Sequence, residues 1–235
     1  MAKNLLHHFF ILTLYDNPVL PTGKYNWTTA HIWLHKQPFP LWTMAISMKL
    51  FGINEIALRI PSILLTTAGI GITYMIGKYF YNRKIAFVAA FLFSINGLII
   101  ELTGGRTATD HIDAFFVVLI EMSVAFIILY VKKRKIIYNL IAGVCLGAAL
   151  LTKWLPALIV LPIWLLIIAD SGDFSWKQII IQFSVFLGIT ALLFLPWQVY
   201  IFHTFPLQAH KEIGSYLQHY TMVLDKQTGP FYEIV

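Results

Sequence analysis

From residue 56 onward the chain alternates between long apolar stretches and short polar breaks. Stretches at 56–78, 85–102, 112–131, 136–151, 155–169 and 177–201 are predicted as helices on the scale of a bilayer crossing, which takes about 20 apolar residues at ~1.5 Å of rise each. The breaks carry boundary signals. Asn54-Glu55 precedes the first stretch and Lys78 ends it, Lys153 and Pro156 divide the fourth from the fifth, and the last runs out through Pro196-Trp197. Ahead of them, 39–51 is predicted as a helix of about 20 Å, short of a hydrocarbon core of about 30 Å. Trp42, Ala45, Ile46 and Lys49 mix polar and apolar character along it, so it is expected to lie in the membrane interface. Residues 1–38 are mixed, with a turn-rich part from Asp16 to Gly23. The expected architecture is an all-α polytopic membrane protein of about six spans plus an interfacial helix. A segment over 1–38 precedes one membrane domain over 39–235, with no internal repeat.

Composition sharpens this reading. Apolar residues make up 58% of the chain and charged residues 12%, against roughly 25% charged in an average soluble domain. The formal net charge of +6 is no nucleic-acid signal, because the basic residues sit in short loops between apolar stretches. Lys78, Arg83 and Lys84 join the first two spans, Lys132-Lys-Arg-Lys135 joins the third and fourth, and Lys177 follows the fifth. Alternation puts these loops on one side, which the positive-inside rule makes cytoplasmic. Residues 1–55, the 103–111 loop, the turn at Lys153 and residues 202–232 then face outward. Cys145 stands alone in an apolar helix, so neither a disulfide framework nor a metal cluster is expected.

The residues with chemistry in them fall on that outer face. In His31-Ile-Trp-Leu-His-Lys-Gln-Pro-Phe-Pro-Leu-Trp42, prolines 38 and 40 suit a helix's first turn, which places Lys36 just outside a helix start. A cation beside the positive end of a helix dipole can hold a phosphate; the plainer reading is a lysine snorkelling to headgroups. His31 and His35 are four apart, as metal ligands on one helix face are, but no third ligand stands near and no metal is expected. In Glu101-Leu-Thr-Gly-Gly-Arg-Thr-Ala-Thr-Asp-His-Ile-Asp113, glycines break a helix, and Asp110 and Asp113 share the first turn of the next. Arg106 beside them suits a phosphate or carboxylate, or simply pairs with an aspartate at the surface. Lys153 interrupts an apolar run at the same face and either snorkels or meets the same anion. Glu121, near the middle of the third span, is an intramembrane carboxylate that either lines a pathway or pairs between helices. Gly143, Gly147 and the alanines beside them are small enough for close helix packing.

These residues resemble a known family. His35-Lys-Gln-Pro-Phe-Pro-Leu-Trp42 and Lys49-Leu-Phe-Gly-Ile-Asn-Glu-Ile-Ala-Leu-Arg-Ile-Pro-Ser62 look like the lysine–proline–proline–leucine segment and following helix of polyprenyl-phosphate-dependent glycosyltransferases. That group holds the protein O-mannosyltransferases and the lipid A aminoarabinose transferases and has the GT-C membrane fold. The likeness continues in order through Gly77-Lys-Tyr-Phe80, Gly105-Arg-Thr-Ala-Thr-Asp-His-Ile-Asp113, Gly147-Ala-Ala-Leu-Leu-Thr-Lys153, Leu195-Pro-Trp197 and Gly229-Pro-Phe-Tyr232. It implies transfer of a sugar, with inversion, from a polyprenyl-phosphate donor to an extracytoplasmic acceptor hydroxyl on a protein or glycolipid. The setting it implies is a bacterial plasma (inner) membrane, with no cofactor. By resemblance Lys36 lies at the donor phosphate, and Arg106 and Asp110 line the cavity. Two departures stand out. Gln37 replaces the first proline after the lysine. Met1-Ala-Lys-Asn-Leu-Leu6 matches the family's segment just after its acidic pair, so the first span and the expected base are not in this sequence. The chain then reads as a fragment, with an inactive piece as one alternative. A transporter or flippase component carried by Glu121 is the other.

Overall fold

The computed structural model describes residues 1–13, 32–34, 36–104 and 112–214, and these are helical wherever they are regular. Eight α-helices follow in order: α1 (Pro38–Phe51), α2 (Glu55–Phe80), α3 (Arg83–Ser94), α4 (Gly97–Gly104), α5 (Ile112–Lys133), α6 (Ile136–Lys153), α7 (Val160–Asp170) and α8 (Trp176–Thr204). A 3-10 turn, Leu155–Ile159, leads into α7, and 206–214 is helical again. Local chemistry sets the starts. Asn54 accepts from the Ala57 N–H and Asn82 from the N–H groups of Lys84 and Ile85. Ser175 and Gln178 form a reciprocal capping box at α8.

Four helices, α2, α5, α6 and α8, are long and apolar enough to cross a membrane, and α3 with α4 makes a fifth crossing if taken as one bent span. The chain is an integral membrane protein. The stretch expected as one span over 85–102 is broken by 46°. Asn96-Gly97 is the cause: the Asn96 side chain accepts from the Ile99 N–H and starts a new helix. The stretch expected over 155–169 is a 5-residue 3-10 turn joined to an 11-residue helix, shorter than the other spans. It still returns the chain to the far end of the bundle, because Asp173 just beyond α7 pairs with Arg134 between α5 and α6 at 2.5 Å. Arg134 also covers the Phe174 ring at 3.8 Å, and Lys132 covers Tyr79 at 4.7 Å. The basic loops therefore gather at one end, as the alternation of spans requires.

The main core lies between α5, α6, α7 and α8, around Leu119, Ile127, Leu146, Val160, Trp164 and Phe186. Its polar atoms are satisfied by side-chain bridges between helices. Buried Asn139 donates to the Gln182 carbonyl at 2.8 Å and accepts from the Trp164 indole at 2.9 Å, tying α6, α7 and α8 together. Ser123 donates to the Ala142 carbonyl at 2.9 Å. Asn139→Leu is expected to orphan the Trp164 N–H in a dry core and lower the unfolding free energy by about 1–3 kcal/mol; thermal unfolding followed by tryptophan fluorescence reads it.

Close approach of α6 and α8 depends on glycine. A Cβ on Gly143 would sit 2.9 Å from the Phe186 carbonyl oxygen, and one on Gly147 would sit 2.9 Å from the Leu193 Cβ. Both positions behave as small-residue packing sites. At the opposite end, residues 1–13 fold onto α1 and the end of α8. Leu5, Leu12, Leu34, Leu41, Trp197 and Ile201 form a second cluster there. Trp42 donates to the Phe9 carbonyl at 2.9 Å, stacks on the Phe9 ring and meets Trp197 edge-on. So α1, predicted as a surface-lying helix, has one face buried through Leu41, Met44, Ala45 and Met48 while Ile46, Leu50 and Phe51 are exposed.

Candidate functional site

The end of the bundle away from the basic loops brings two of the expected site residues into one neighbourhood. Lys36 is half-buried and stands two residues before Pro38, the first residue of α1. The helix begins where the sequence predicts, with Gln37 in extended conformation at its N-cap (ψ 152°) and Pro38 in its first turn. Proline sets the helix direction but also removes donors. Of the four N–H groups left unpaired at a helix start, Pro38 and Pro40 supply none, which leaves those of Gln37 and Phe39. An anion here would depend on the Lys36 charge for most of its attraction, with the helix contributing about half its usual donors.

Lys153 is the last residue of α6. Its ammonium donates to Asp113 Oδ1 at 2.7 Å and lies 5.9 Å from the Phe116 ring centre. The side chains of the pair are 48% and 44% exposed, so water screens them and the pair adds under about 1 kcal/mol to stability. Lys153→Met is accordingly expected to move the unfolding midpoint by no more than a few degrees; a larger loss in a thermal scan would give the lysine a structural role instead. The pairing follows from how the two helices pack. α5 and α6 are antiparallel helices of similar length joined by a tight turn, so the first turn of one meets the last turn of the other.

Trp154 follows with φ 61° and ψ −131°, a backbone state that residues with side chains rarely adopt. It ends α6 with its N–H donated to the Leu150 carbonyl at 3.0 Å. Residues from four segments then meet around a small cavity of about 20 Å³, walled by Leu34 and Gln37, by Trp154, by Gln198 and Ile201 of α8, and by Ala209, Glu212 and Ile213 of the 206–214 helix. Lys36 is thus one residue from one wall and Lys153 one residue from another. Arg106 and Asp110, the other two expected site residues, lie outside the described residues, as do His31 and His35.

Glu121 has a partner across a helix interface: Thr73 of α2 donates to its Oε2 at 3.2 Å. That is the interhelical pairing expected as the alternative to a pathway residue.

The fold is similar to that of ArnT from Cupriavidus metallidurans. Its apo crystal structure aligns with a TM-score of 0.62 at 18% identity, covering 88% of this chain and 36% of that one. The crystal structure of the same protein bound to undecaprenyl phosphate aligns with a TM-score of 0.59 at 18% identity over the same shares. A putative mannosyltransferase of Bacillus subtilis strain 168, YkcB, is 23% identical over 184 residues, 78% of this chain and 25% of the relative. Undecaprenyl phosphate-alpha-4-amino-4-deoxy-L-arabinose arabinosyl transferase 1 of Pseudomonas fluorescens strain Pf0-1 is 25% identical over 190 residues, 77% of this chain and 32% of the relative. The chain thus spans between a quarter and a third of the length of these relatives. Residues 35–200 match the family described as dolichyl-phosphate-mannose-protein mannosyltransferase, which takes in the Lys36 segment, α1 to α7 and most of α8, and the chain belongs to that family.

Proposed function

We propose that this chain carries the donor-phosphate side of a membrane glycosyltransferase, which moves a sugar from a polyprenyl-phosphate donor to a hydroxyl of a protein or glycolipid. The observation that carries the reading is the placement of Lys36 before the two-proline start of α1, at the same end as Lys153 and Asp113 and opposite the basic loops. By the positive-inside rule that end is extracytoplasmic, and the family resemblance implies a bacterial plasma membrane. In the transfer, the acceptor oxygen attacks the anomeric carbon, the bond from that carbon to the phosphate oxygen breaks, and the acceptor proton passes to a base. The phosphate leaves with added negative charge, and a cation fixed beside it stabilises that charge as it develops. Lys36 has this role, Arg106 and Asp110 line the donor cavity, and Lys153 holds Asp113 at its edge. The names of the relatives support the donor class, since undecaprenyl phosphate appears in the arabinosyl transferase and in the ligand of the ArnT structure.

The test is phosphate-dependent binding. The chain in lipid nanodiscs is expected to bind undecaprenyl phosphate and to show at least tenfold weaker binding of undecaprenol, which has the same tail and no charge. Equal binding of the two would reduce the site to a tail-binding surface and end the reading.

A further inference from the structure

The end of the bundle that carries the basic loops is not evenly charged. Neighbouring cations at the end of α5 turn to opposite sides. Arg134 pairs with Asp173 and covers the Phe174 ring, so its charge is matched. Lys132 turns instead to α2, where its Nζ lies 4.7 Å from the centre of the Tyr79 ring. That contact brings the last turn of α5, with Lys132 and Lys133, against the last turn of α2, with Lys78. α3 joins them, because a Cβ on Gly77 would sit 3.0 Å from the Ala86 Cα. The close approach sets Arg83 and Lys84, within one turn of Ala86 at the start of α3, beside the end of α2. All five cations of this corner are exposed, and none forms a salt bridge with a carboxylate among the described residues.

Folding alone does not account for this corner. Lysines in a helix's last turn complement its dipole, which covers Lys78, Lys132 and Lys133. Arg83 and Lys84 oppose it: the first turn of α3, where carboxylates are favoured, holds two cations and no acid. The charge bias that orients a membrane chain counts basic residues near the spans and does not require them to converge. Five converging cations without an internal counter-charge attract an anion from outside. Their surroundings say which kind. Phe80 and Tyr81, between Lys78 and Arg83, are 49% and 70% exposed, and Ile85 and Phe87 continue the exposed apolar surface along α3. A soluble phosphate would use the charge alone. A phospholipid places its phosphodiester among the cations and its acyl chains on the adjoining apolar surface. Choline and ethanolamine headgroups neutralise their own phosphate, so the headgroup that fits carries net negative charge. We propose that the α2–α3–α5 corner is a binding site for an anionic phospholipid of the phosphatidylglycerol type. It lies at the opposite end of the bundle from Lys36 and does not rest on the glycosyl-transfer reading.

The deciding experiment labels the lysines of the full chain with a water-soluble acylating ester, in nanodiscs of phosphatidylcholine alone or mixed with phosphatidylglycerol. Mass spectrometry reads each site. Phosphatidylglycerol is expected to slow labelling of Lys78, Lys84 and Lys132 by about fivefold relative to Lys177, which lies at the same end at the start of α8. Equal slowing at Lys177 would reduce the effect to the potential of a charged bilayer and overturn the site, as would no slowing at all. Inorganic phosphate added to phosphatidylcholine nanodiscs should protect none of these lysines; protection by it would overturn the lipid assignment. Retention of lipid in neutral detergent, read by native mass spectrometry, gives a second measure. Phosphatidylglycerol should be held about tenfold better than phosphatidylcholine, with about fivefold of that lost in Arg83→Gln and none in Lys177→Gln. Equal losses in the two variants would again mean diffuse attraction and no site. If Arg83→Gln does not fold, the labelling pattern of the unaltered chain decides alone. Undecaprenyl phosphate binding measured alongside keeps the two proposals apart, since its absence would leave the protection of these lysines untouched.

Discussion

Replacing Lys36 by methionine is expected to weaken undecaprenyl phosphate binding by about 10- to 100-fold. The magnitude reflects how little else the helix start offers. An intact first turn presents up to four free N–H groups to an anion, and α1 has proline at two of the four positions. The remaining attraction is a charge-assisted bond from the ammonium, worth about 1.5–3 kcal/mol. Methionine keeps the length and apolar stem, so packing along the lysine's carbons survives. Lys49→Met, in the last turn of the same helix, is the matched control and should bind as the unaltered chain does. Arginine at 36 should recover only part of the affinity, because a planar fork does not repeat the contacts of a compact ammonium. Titration of the lipid in nanodiscs reads all of these, and full affinity in Lys36→Met would remove the lysine from the site.

The second large effect is on the fold. Gly143→Leu is expected to lower the unfolding free energy by about 3 kcal/mol or more. The first added carbon alone falls 2.9 Å from a backbone oxygen of α8 and 3.2 Å from Ile189, and neither neighbour is a flexible tip that can swing aside. The helices must separate, and separation also stretches the bond from Thr190 Oγ1 to the Gly143 carbonyl, now 3.1 Å. Gly188→Ala on α8 is the contrasting case. Nothing lies within 4 Å of its added Cβ, so the change should stabilise slightly, by helix propensity of up to about 1 kcal/mol. Thermal unfolding of the two variants side by side separates packing from propensity, and a Gly143→Leu chain as stable as its parent would mean that α6 and α8 can slide apart freely.

Much of the bundle was legible in the sequence because hydrophobic stretches and their breaks report helices directly. The start of α1 at Pro38, the small residues of α6 and the gathering of basic loops all arise from local patterns. What escaped depended on contacts between elements. The bend between α3 and α4 was written in Asn96-Gly97, but an apolar flank on both sides hid it. The burial of one face of α1 was not readable from the helix itself, since its apolar positions wrap most of its circumference and its partners, Leu5, Leu12 and Trp197 on one side and Ala57 and Phe115 on the other, pick out the face they cover. The site divides similarly. Lys36 stood out as a candidate by its prolines and Lys153 by its interruption of an apolar run, whereas the salt bridge to Asp113 needed the antiparallel geometry of α5 and α6. Gln37 and Gln198, which line one small cavity, are separated by 161 residues of sequence that carries no local sign of it.

The shortness of the passage through Leu155–Asp170 has a consequence for the surrounding lipid. Five residues of 3-10 turn and eleven of α-helix extend roughly 26 Å at about 2.0 and 1.5 Å per residue, some 4 Å less than an average hydrocarbon core of about 30 Å. α8 beside it, at 29 residues, is long enough to tilt or to protrude. Hydrophobic mismatch of this kind costs a fraction of a kcal/mol per ångström and is relieved by thinning of the adjacent leaflet. The mismatch is therefore local: a thinned annulus is expected on the α7 flank, while α2 and α8, at 26 and 29 residues, exceed the core.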